Sequence, residues 1–327
     1  MQKKLKTHIA IILFVCLALG LPVGVRYYLG QQEKNALEAQ KAEYKGTLYK
    51  IEKIFEREDD RVLLPLKKTV SEEALSVALD YPEHLVEINV PEIKGSAFEK
   101  AGAGGNLEHV DSIWAKDTKD GCKLQVIFDA PMACDVSVDD GYIAITAVRP
   151  AQKYDRIVVV DPGRYEENDL CLDVAERVQA ELAKSDITVI LARNGERVYT
   201  ERERAAFASD VGTDMLIGLE MPRSEDASLC GVRSLYNSVF FMPGLGSGDL
   251  AYLLEENVLE ATGAKSLGIE AGDGNELIDS AQMPVTLLQL GYQSNEEEQK
   301  RLNSETYRQS LADGICQGII KAYEQKE

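Results

Sequence analysis

The stretch Ile157-Val-Val-Val-Asp-Pro-Gly163 contains four consecutive β-branched apolar residues and ends in a turn sequence. A continuous apolar run of this kind is typical of a parallel strand that is buried on both faces. Apolar residues then recur at helical spacing, which predicts a helix from Glu167 to Ala183. The stretch therefore indicates the first strand and helix of an α/β fold.

The same alternation continues to the end of the chain. It predicts further strands at Ile187–Ala192, Met215–Leu219, Val232–Ser238 and Val285–Leu290, and helices at Tyr199–Ser209, Ser247–Ala261, 296–303 and 305–324. We therefore predict an α/β domain over 151–327, with a mostly parallel sheet and helices on both faces. Ligands bind such sheets at the carboxyl ends of the strands. Those ends are Asp161 to Glu167, Leu219 to Pro222 and Gln289 to Asn295.

The segment 70–150 has a different pattern, of short strands separated by turn signals. Strands are predicted around Leu75–Leu79, Leu85–Val90, Lys123–Phe128 and Tyr142–Val148. This spacing indicates a small all-β, sandwich-like domain. Its residues Cys122 and Cys134 are expected either to form a disulfide or to remain buried thiols.

The segment 30–62 is rich in Glu, Lys, Gln and Ala, which are good helix formers. Leu37, Tyr44 and Ile51 recur every seven residues. We predict a helical stalk with a weak coiled-coil seam, the alternative being a solvated tether.

A 17-residue uncharged stretch, Ile9 to Val25, predicts a membrane anchor within 1–29. Three Lys precede the stretch and Arg26 follows it, which places the N-terminus inside. The alternative is a signal peptide cleaved near Ala18-Leu-Gly20. We expect a single-pass protein of the cell membrane, with its C-terminal part outside the cytoplasm.

Composition excludes several classes of protein. Hydrophobic residues make up 45% of the chain and charged residues 28%, which excludes a mainly disordered chain and a multi-span membrane protein. The formal net charge of −19 argues against nucleic acid as a partner, because phosphate binding needs clustered Lys and Arg. The three His residues are His8, His84 and His109, so the predicted α/β domain contains none.

From about residue 150 to 327 the chain resembles the zinc-dependent N-acetylmuramoyl-L-alanine amidases, which cut between the sugar and the stem peptide of peptidoglycan. The resemblance rests on six segments in order. They are Ile157–Gly163, the helix opening with Glu167, Val189-Ile-Leu-Ala-Arg193, Glu203-Arg204 with Ala205 and Ala208, Asp214-Met-Leu-Ile-Gly-Leu219, and Pro284–Asn295. More loosely, the β-rich segment resembles the targeting domain that precedes many such amidases.

The resemblance implies three zinc ligands and a catalytic Glu, and most of these positions are altered here. The first His is replaced by Arg164 and the second by Glu220, while Glu167 matches the ligand Glu. The position of the catalytic Glu holds Gln289. Arg cannot ligate a metal, and a Gln amide cannot take a proton from water. We therefore expect no zinc, no other cofactor and no functional catalytic residue.

The retained charges suggest a replacement for the metal. We predict that Arg164 pairs with Glu167 or Glu220, since a guanidinium matches carboxylates geometrically. The alternative is that the three side chains point into solvent and never meet.

Three hypotheses follow for function. The first is an inactive amidase-like domain that binds peptidoglycan or a cell-wall protein. The second is an active amidase with an altered metal site. The third is a structural scaffold in a division or sporulation assembly. The missing His favours the first over the second, and fold analogy alone does not decide among them.

Overall fold

The computed structural model describes residues 46–163, 169–195, 198–239 and 244–326. The predicted anchor over 1–29 and the stalk over 30–45 lie outside these residues. Within the described ranges, no helix is both long enough and apolar enough to cross a bilayer.

The first part of the described chain is a β-sandwich of two five-stranded sheets. Its strands are β1 (Leu48–Lys50), β2 (Ile54–Phe55), β3 (Val62–Pro65), β4 (Ser76–Asp80), β5 (Leu85–Pro91), β6 (Ala103–Gly105), β7 (Val110–Asp117), β8 (Gly121–Phe128), β9 (Ala133–Asp139) and β10 (Tyr142–Val148). The sheet orders are β1-β7-β8-β5-β4 and β2-β6-β3-β10-β9. The first sheet is antiparallel throughout, and in the second only β2 and β6 pair in parallel.

Strand β8 shows why this segment forms a sandwich. Its residues alternate, so that Leu124 and Val126 are buried in the core while Lys123 and Gln125 lie on the outer face. A short helix, α1 (Gly95–Ala101), contributes the fully buried Phe98 to the same core. The predicted sandwich-like architecture is therefore present.

Two sequence interpretations of this region have clear outcomes. The predicted helical stalk is wrong for residues 48–62, because this part of the chain forms β1, β2 and the start of β3. The β-domain therefore begins well before residue 70. The thiols of Cys122 and Cys134 are buried and free, which is the second of the two alternatives for that pair.

The second part of the described chain is an α/β domain. Its strands are β11 (Ile157–Pro162), β12 (Thr188–Leu191), β13 (Met215–Glu220), β14 (Val232–Tyr236), β15 (Ser266–Ala271) and β16 (Val285–Gln289). Its helices are α3 (Leu170–Leu182), α4 (Glu201–Val211), α5 (Ser247–Thr262), α6 (Glu276–Ser280), α7 (Glu296–Leu302) and α8 (Glu305–Lys326), and α2 (Pro150–Lys153) precedes β11.

The six strands form one sheet in the order β12-β11-β13-β16-β14-β15. Every pair is parallel except β14 with β16, so the prediction of a mostly parallel sheet is confirmed. Strand β15 and helix α6 are additions that the sequence pattern did not predict. Helices α3, α5 and α8 cover one face of the sheet. Helices α4 and α6 cover the other.

Helices α5 and α8 pack so closely that one glycine is required between them. A Cβ atom at Gly314 would lie 2.6 Å from the Cα atom of Val258 and 2.8 Å from the Asn257 carbonyl oxygen. Both obstacles are backbone atoms, which cannot rotate away. The close packing on this face of the sheet therefore depends on the absence of a side chain at 314.

We predict that Gly314→Ala destabilises the protein by about 1–3 kcal/mol, because the added methyl group forces the two helices apart. Where a helix has free space for the methyl group, Gly→Ala stabilises the protein instead. Gly248→Ala is the matched control, since a Cβ there would meet only the ring of Tyr236, at 3.6 Å. Urea unfolding of the two variants measures the difference. Equal stabilities would contradict the close packing.

Candidate functional site

Three polar side chains lie where the central parallel strands end. The strand register pairs Glu220 with Gln289 and Asp161 with Gly218. Because side chains alternate along a strand, Asp161, Glu220 and Gln289 all lie on the face that α4 and α6 cover. This edge is the place where an α/β sheet binds ligands.

A short chain of hydrogen bonds joins the ends of β13 and β16. The Gln289 Nε2 atom donates to Glu220 Oε2 at 3.2 Å. The Tyr292 hydroxyl donates to Gln289 Oε1 at 3.1 Å. The carboxyl and the amide are therefore held side by side, with the amide orientation set by the tyrosine.

The environment of Glu220 is unfavourable for a charged carboxylate. Burial raises its pKa, and the hydrogen bond from Gln289 opposes that shift. The neighbouring carboxylates of Glu201 and Asp161 raise the pKa further, while Arg204 lowers it. These influences show that the five side chains share one electrostatic environment.

An ion pair with a buried carboxylate lies beside the hydrogen bonds that join Glu220, Gln289 and Tyr292. Arg204, on helix α4, donates from Nη1 to Asp161 Oδ2 at 2.5 Å. Asp161 is only 1% exposed, and its burial raises its pKa while Arg204 opposes the shift. Asp161 Oδ1 and Arg204 Nε are both buried and have no hydrogen-bond partner among the described residues. Arg204 also lies 3.9 Å from Glu201 Oε1.

A second arginine fixes the backbone around the site. The Arg193 guanidinium forms two hydrogen bonds of 2.7 Å with the Asp169 carboxylate. It also donates to the carbonyl oxygens of Pro162 at 3.2 Å and Gly195 at 3.1 Å. Arg193 therefore joins the end of β11, the residue before α3 and the segment after β12.

The structure brings together only some of the residues that the sequence singled out. Glu220 and Gln289 are in contact at the predicted edge. Arg164 and Glu167 lie outside the described residues, so their pairing stays a prediction. Asp161 and Tyr292 fall within the predicted strand-end regions but were given no role there, and sequence reasoning missed Arg204 as a site residue. A polar residue immediately after an apolar strand was the available signal for Asp161, whereas its partner lies on a helix 43 residues later.

The sequence model for N-acetylmuramoyl-L-alanine amidases matches residues 156–321, which is just over half of the chain. The chain belongs to the N-acetylmuramoyl-L-alanine amidase family. The matched region coincides with the α/β domain, from the start of β11 to helix α8. It therefore contains every part of the candidate site.

Individual proteins are similar over the same region. YqiI, an uncharacterized protein of Bacillus subtilis, is 29% identical over 159 residues, covering 49% of this chain and 75% of YqiI. The N-acetylmuramoyl-L-alanine amidase CwlM of Mycobacterium tuberculosis is 27% identical over 183 residues, covering 51% of this chain and 45% of CwlM. A solved N-acetylmuramoyl-L-alanine amidase of Clostridium difficile 630 is 22% identical, with a TM-score of 0.49, and the match covers 53% of this chain and 98% of that one.

The family resemblance implies a zinc site at Arg164, Glu167 and Glu220, and of these the structure describes Glu220 alone. A catalytic zinc site needs about three protein ligands and an open position. Among the described residues, no group of three or more His, Cys, Asp and Glu is arranged to hold a metal ion. Glu220 has the Gln289 amide beside it, and an amide N–H donor is not a metal ligand. Because Arg164 and Glu167 lie outside the described residues, the absence of zinc stays a prediction.

We predict that Arg204→Ala lowers the free energy of unfolding by roughly 3–5 kcal/mol, because it leaves the Asp161 carboxylate buried without its cation. Lys184→Ala is the control. Lys184 pairs with Glu181 at 2.9 Å, but both side chains are exposed, and its loss should cost less than about 1 kcal/mol. Denaturant unfolding compares the two variants, and equal losses would contradict the importance of the buried pair. The double variant Asp161→Asn, Arg204→Met should lose less of the free energy of unfolding than Arg204→Ala, because it leaves no buried charge unpaired.

A second prediction concerns the pH dependence of stability. Since the folded-state pKa of Glu220 is raised, the folded protein retains this proton to higher pH than the unfolded chain does. Its stabilising contribution is present at low pH and is lost as pH rises through the folded-state pKa. The melting temperature of Glu220→Gln should therefore exceed that of the wild type at about pH 8. The difference in melting temperature should shrink as the pH is lowered towards about 4.5.

Glu225→Gln controls for a general effect of removing one carboxylate, because Glu225 is exposed on the loop after β13. Its melting temperature should follow the wild type across the same range of pH. A difference for Glu220→Gln that is constant with pH would contradict the effect of burial on this carboxyl group.

Proposed function

We propose that this protein is a non-hydrolytic member of the amidase family that binds peptidoglycan. The observation that carries the proposal is the hydrogen bond between Gln289 and Glu220 at the carboxyl edge of the sheet. By the family resemblance, these are the positions of the catalytic Glu and of a zinc-binding His. Gln289, at the position of the proton acceptor, has an amide side chain. This amide is hydrogen-bonded to Glu220, at the position of a metal ligand.

Hydrolysis of an amide by zinc needs a base that takes a proton from water. The Gln289 amide has no such capacity, since it offers N–H donors and a weakly basic oxygen. Glu220 is the nearest carboxylate on the same edge, but a metal site needs further ligands beside it. The chemistry of these side chains thus supports binding without bond cleavage.

The same groups are suited to hydrogen bonding. A Gln amide has two N–H donors and an oxygen with two lone pairs. One donor of Gln289 is used by Glu220, and one lone pair accepts the Tyr292 hydroxyl. Among the described residues no other hydrogen bond uses the second donor or the second lone pair, and we propose that a ligand takes them. The hydroxyl and amide groups of a muropeptide would match this pair.

The proposed location is outside the cytoplasm, with the chain attached to the membrane by its N-terminal segment. The support for this is the apolar stretch Ile9 to Val25, preceded by three Lys. A cell-wall protein is the alternative partner in the same location. We propose that no metal or other cofactor takes part.

Two measurements on the full purified chain test this function. We expect co-sedimentation with insoluble peptidoglycan, weakened in Gln289→Ala and unchanged in Glu225→Gln. We also expect less than about 0.1 zinc per chain by metal analysis after purification without chelator, and no release of stem peptides.

Other outcomes would select the other hypotheses. One zinc per chain that is lost in Glu220→Ala, together with peptide release, would establish an active amidase with an altered metal site. Absence of both zinc and peptidoglycan binding would instead favour a scaffold that acts through protein partners.

A further inference from the structure

The turn between β4 and β5 of the sandwich is a rigid projection. The Glu83 backbone N–H donates to Asp80 Oδ1 at 3.1 Å, and the His84 N–H donates to the Tyr81 carbonyl oxygen at 3.1 Å. His84 has a φ of 52°, which is rare for a residue with a side chain. Its carbonyl oxygen accepts from the Phe128 N–H at 2.8 Å. The conformation of the turn is therefore held by hydrogen bonds within the sandwich itself.

This turn contacts the amidase-family domain at the start of helix α4. The Tyr199 hydroxyl donates to Glu83 Oε1 at 2.5 Å and lies 3.4 Å from the Pro82 carbonyl oxygen. The hydroxyl groups of Tyr81 and Tyr154 lie 3.3 Å apart. Tyr81 also packs on the core beneath helices α4 and α6. The contact thus combines directed hydrogen bonds with apolar packing.

Residues near both ends of α4 influence the titratable groups of this turn. Burial raises the pKa of Asp80, while the Glu83 N–H and the Asn194 side chain oppose that shift. At the other end, Asp210 is close enough to His84 to favour its charged form, although burial lowers the pKa of this histidine. The turn of the sandwich therefore shares an electrostatic environment with residues before α4 and in its last turn.

The first turn of α4 connects this contact to the candidate site. Tyr199 immediately precedes Thr200, whose hydroxyl caps the helix by accepting from the Glu203 N–H at 3.2 Å. Arg204 follows Glu203 in the helix, and its guanidinium donates to the buried Asp161 carboxylate. The start of α4 is thus held by the sandwich at Tyr199 and by the strand end at Asp161.

We propose that Glu83 is a positioning residue for the candidate site. Its carboxylate, supplied by the sandwich, holds Tyr199 and through it the first turn of α4, so that Arg204 stays on Asp161. The sandwich is then a structural part of the site rather than an independent module. This inference holds whatever ligand the carboxyl edge binds.

Hydrogen exchange of the full chain tests the proposal. Loss of one hydrogen bond to a charged acceptor should raise the opening rate of the segment it holds by about tenfold. We expect this increase for amides of residues 203–211 in Glu83→Ala. Glu83→Gln keeps an acceptor oxygen and should stay near the wild-type rate. Tyr252→Phe is the control, because that hydroxyl donates to Glu256 within helix α5, at 2.8 Å.

Two results would overturn the proposal. In the first, faster exchange in Glu83→Ala is confined to the sandwich, with α4 unchanged. In the second, Glu83→Gln exchanges in α4 as fast as Glu83→Ala, which would show that the acceptor does not position the helix.

Thermal unfolding provides an independent measurement. Trp114, the single tryptophan of the chain, lies on strand β7 of the sandwich, whereas all described helices longer than eight residues lie in the other domain. Tryptophan fluorescence and helical circular dichroism therefore report the two domains separately. The two transitions should coincide in the wild type and separate in Glu83→Ala. Separate transitions in the wild type would contradict the coupling.

Discussion

In a parallel strand that is covered by helices on both faces, a polar side chain in the middle of the strand would be buried in the hydrophobic core. Only where the strand ends can such a side chain avoid this desolvation penalty. Strands β11, β13 and β16 obey this constraint, because their central residues are almost all apolar and buried. The constraint concentrates Asp161, Glu220 and Gln289 at one edge of the sheet. Burial at that edge then requires a partner for each group, which Arg204 supplies to Asp161 and Gln289 to Glu220.

The same constraint explains which parts of the fold could be predicted. Continuous apolar runs reveal central strands such as Ile157–Pro162, and the strand-end rule correctly brought Glu220 and Gln289 to one place. Edge strands carry no such signal. In β1 and β2, Leu48 is 54% exposed and Ile54 is 70% exposed, so their sequences resemble those of a solvated helix. The predicted stalk was wrong there because pairing to a neighbouring strand, and not local periodicity, decides the conformation.

The partners of the site residues were harder to predict, because they come from distant segments. Arg204 reaches Asp161 from a helix, and the Glu83 carboxylate reaches Tyr199 from another domain, 116 residues away. Spacing along the sequence does not encode such contacts. The structure thus adds to the sequence analysis two contacts that join segments far apart in the chain.

The site also separates the residues that maintain the fold from those that determine its chemistry. Glu220 and Gln289 lie at the strand ends, and neither belongs to the hydrophobic core. Asp161 is more constrained, since removal of Arg204 leaves its carboxylate buried and unpaired. The domain therefore combines a constrained, largely buried ion pair with polar side chains at the strand ends beside it.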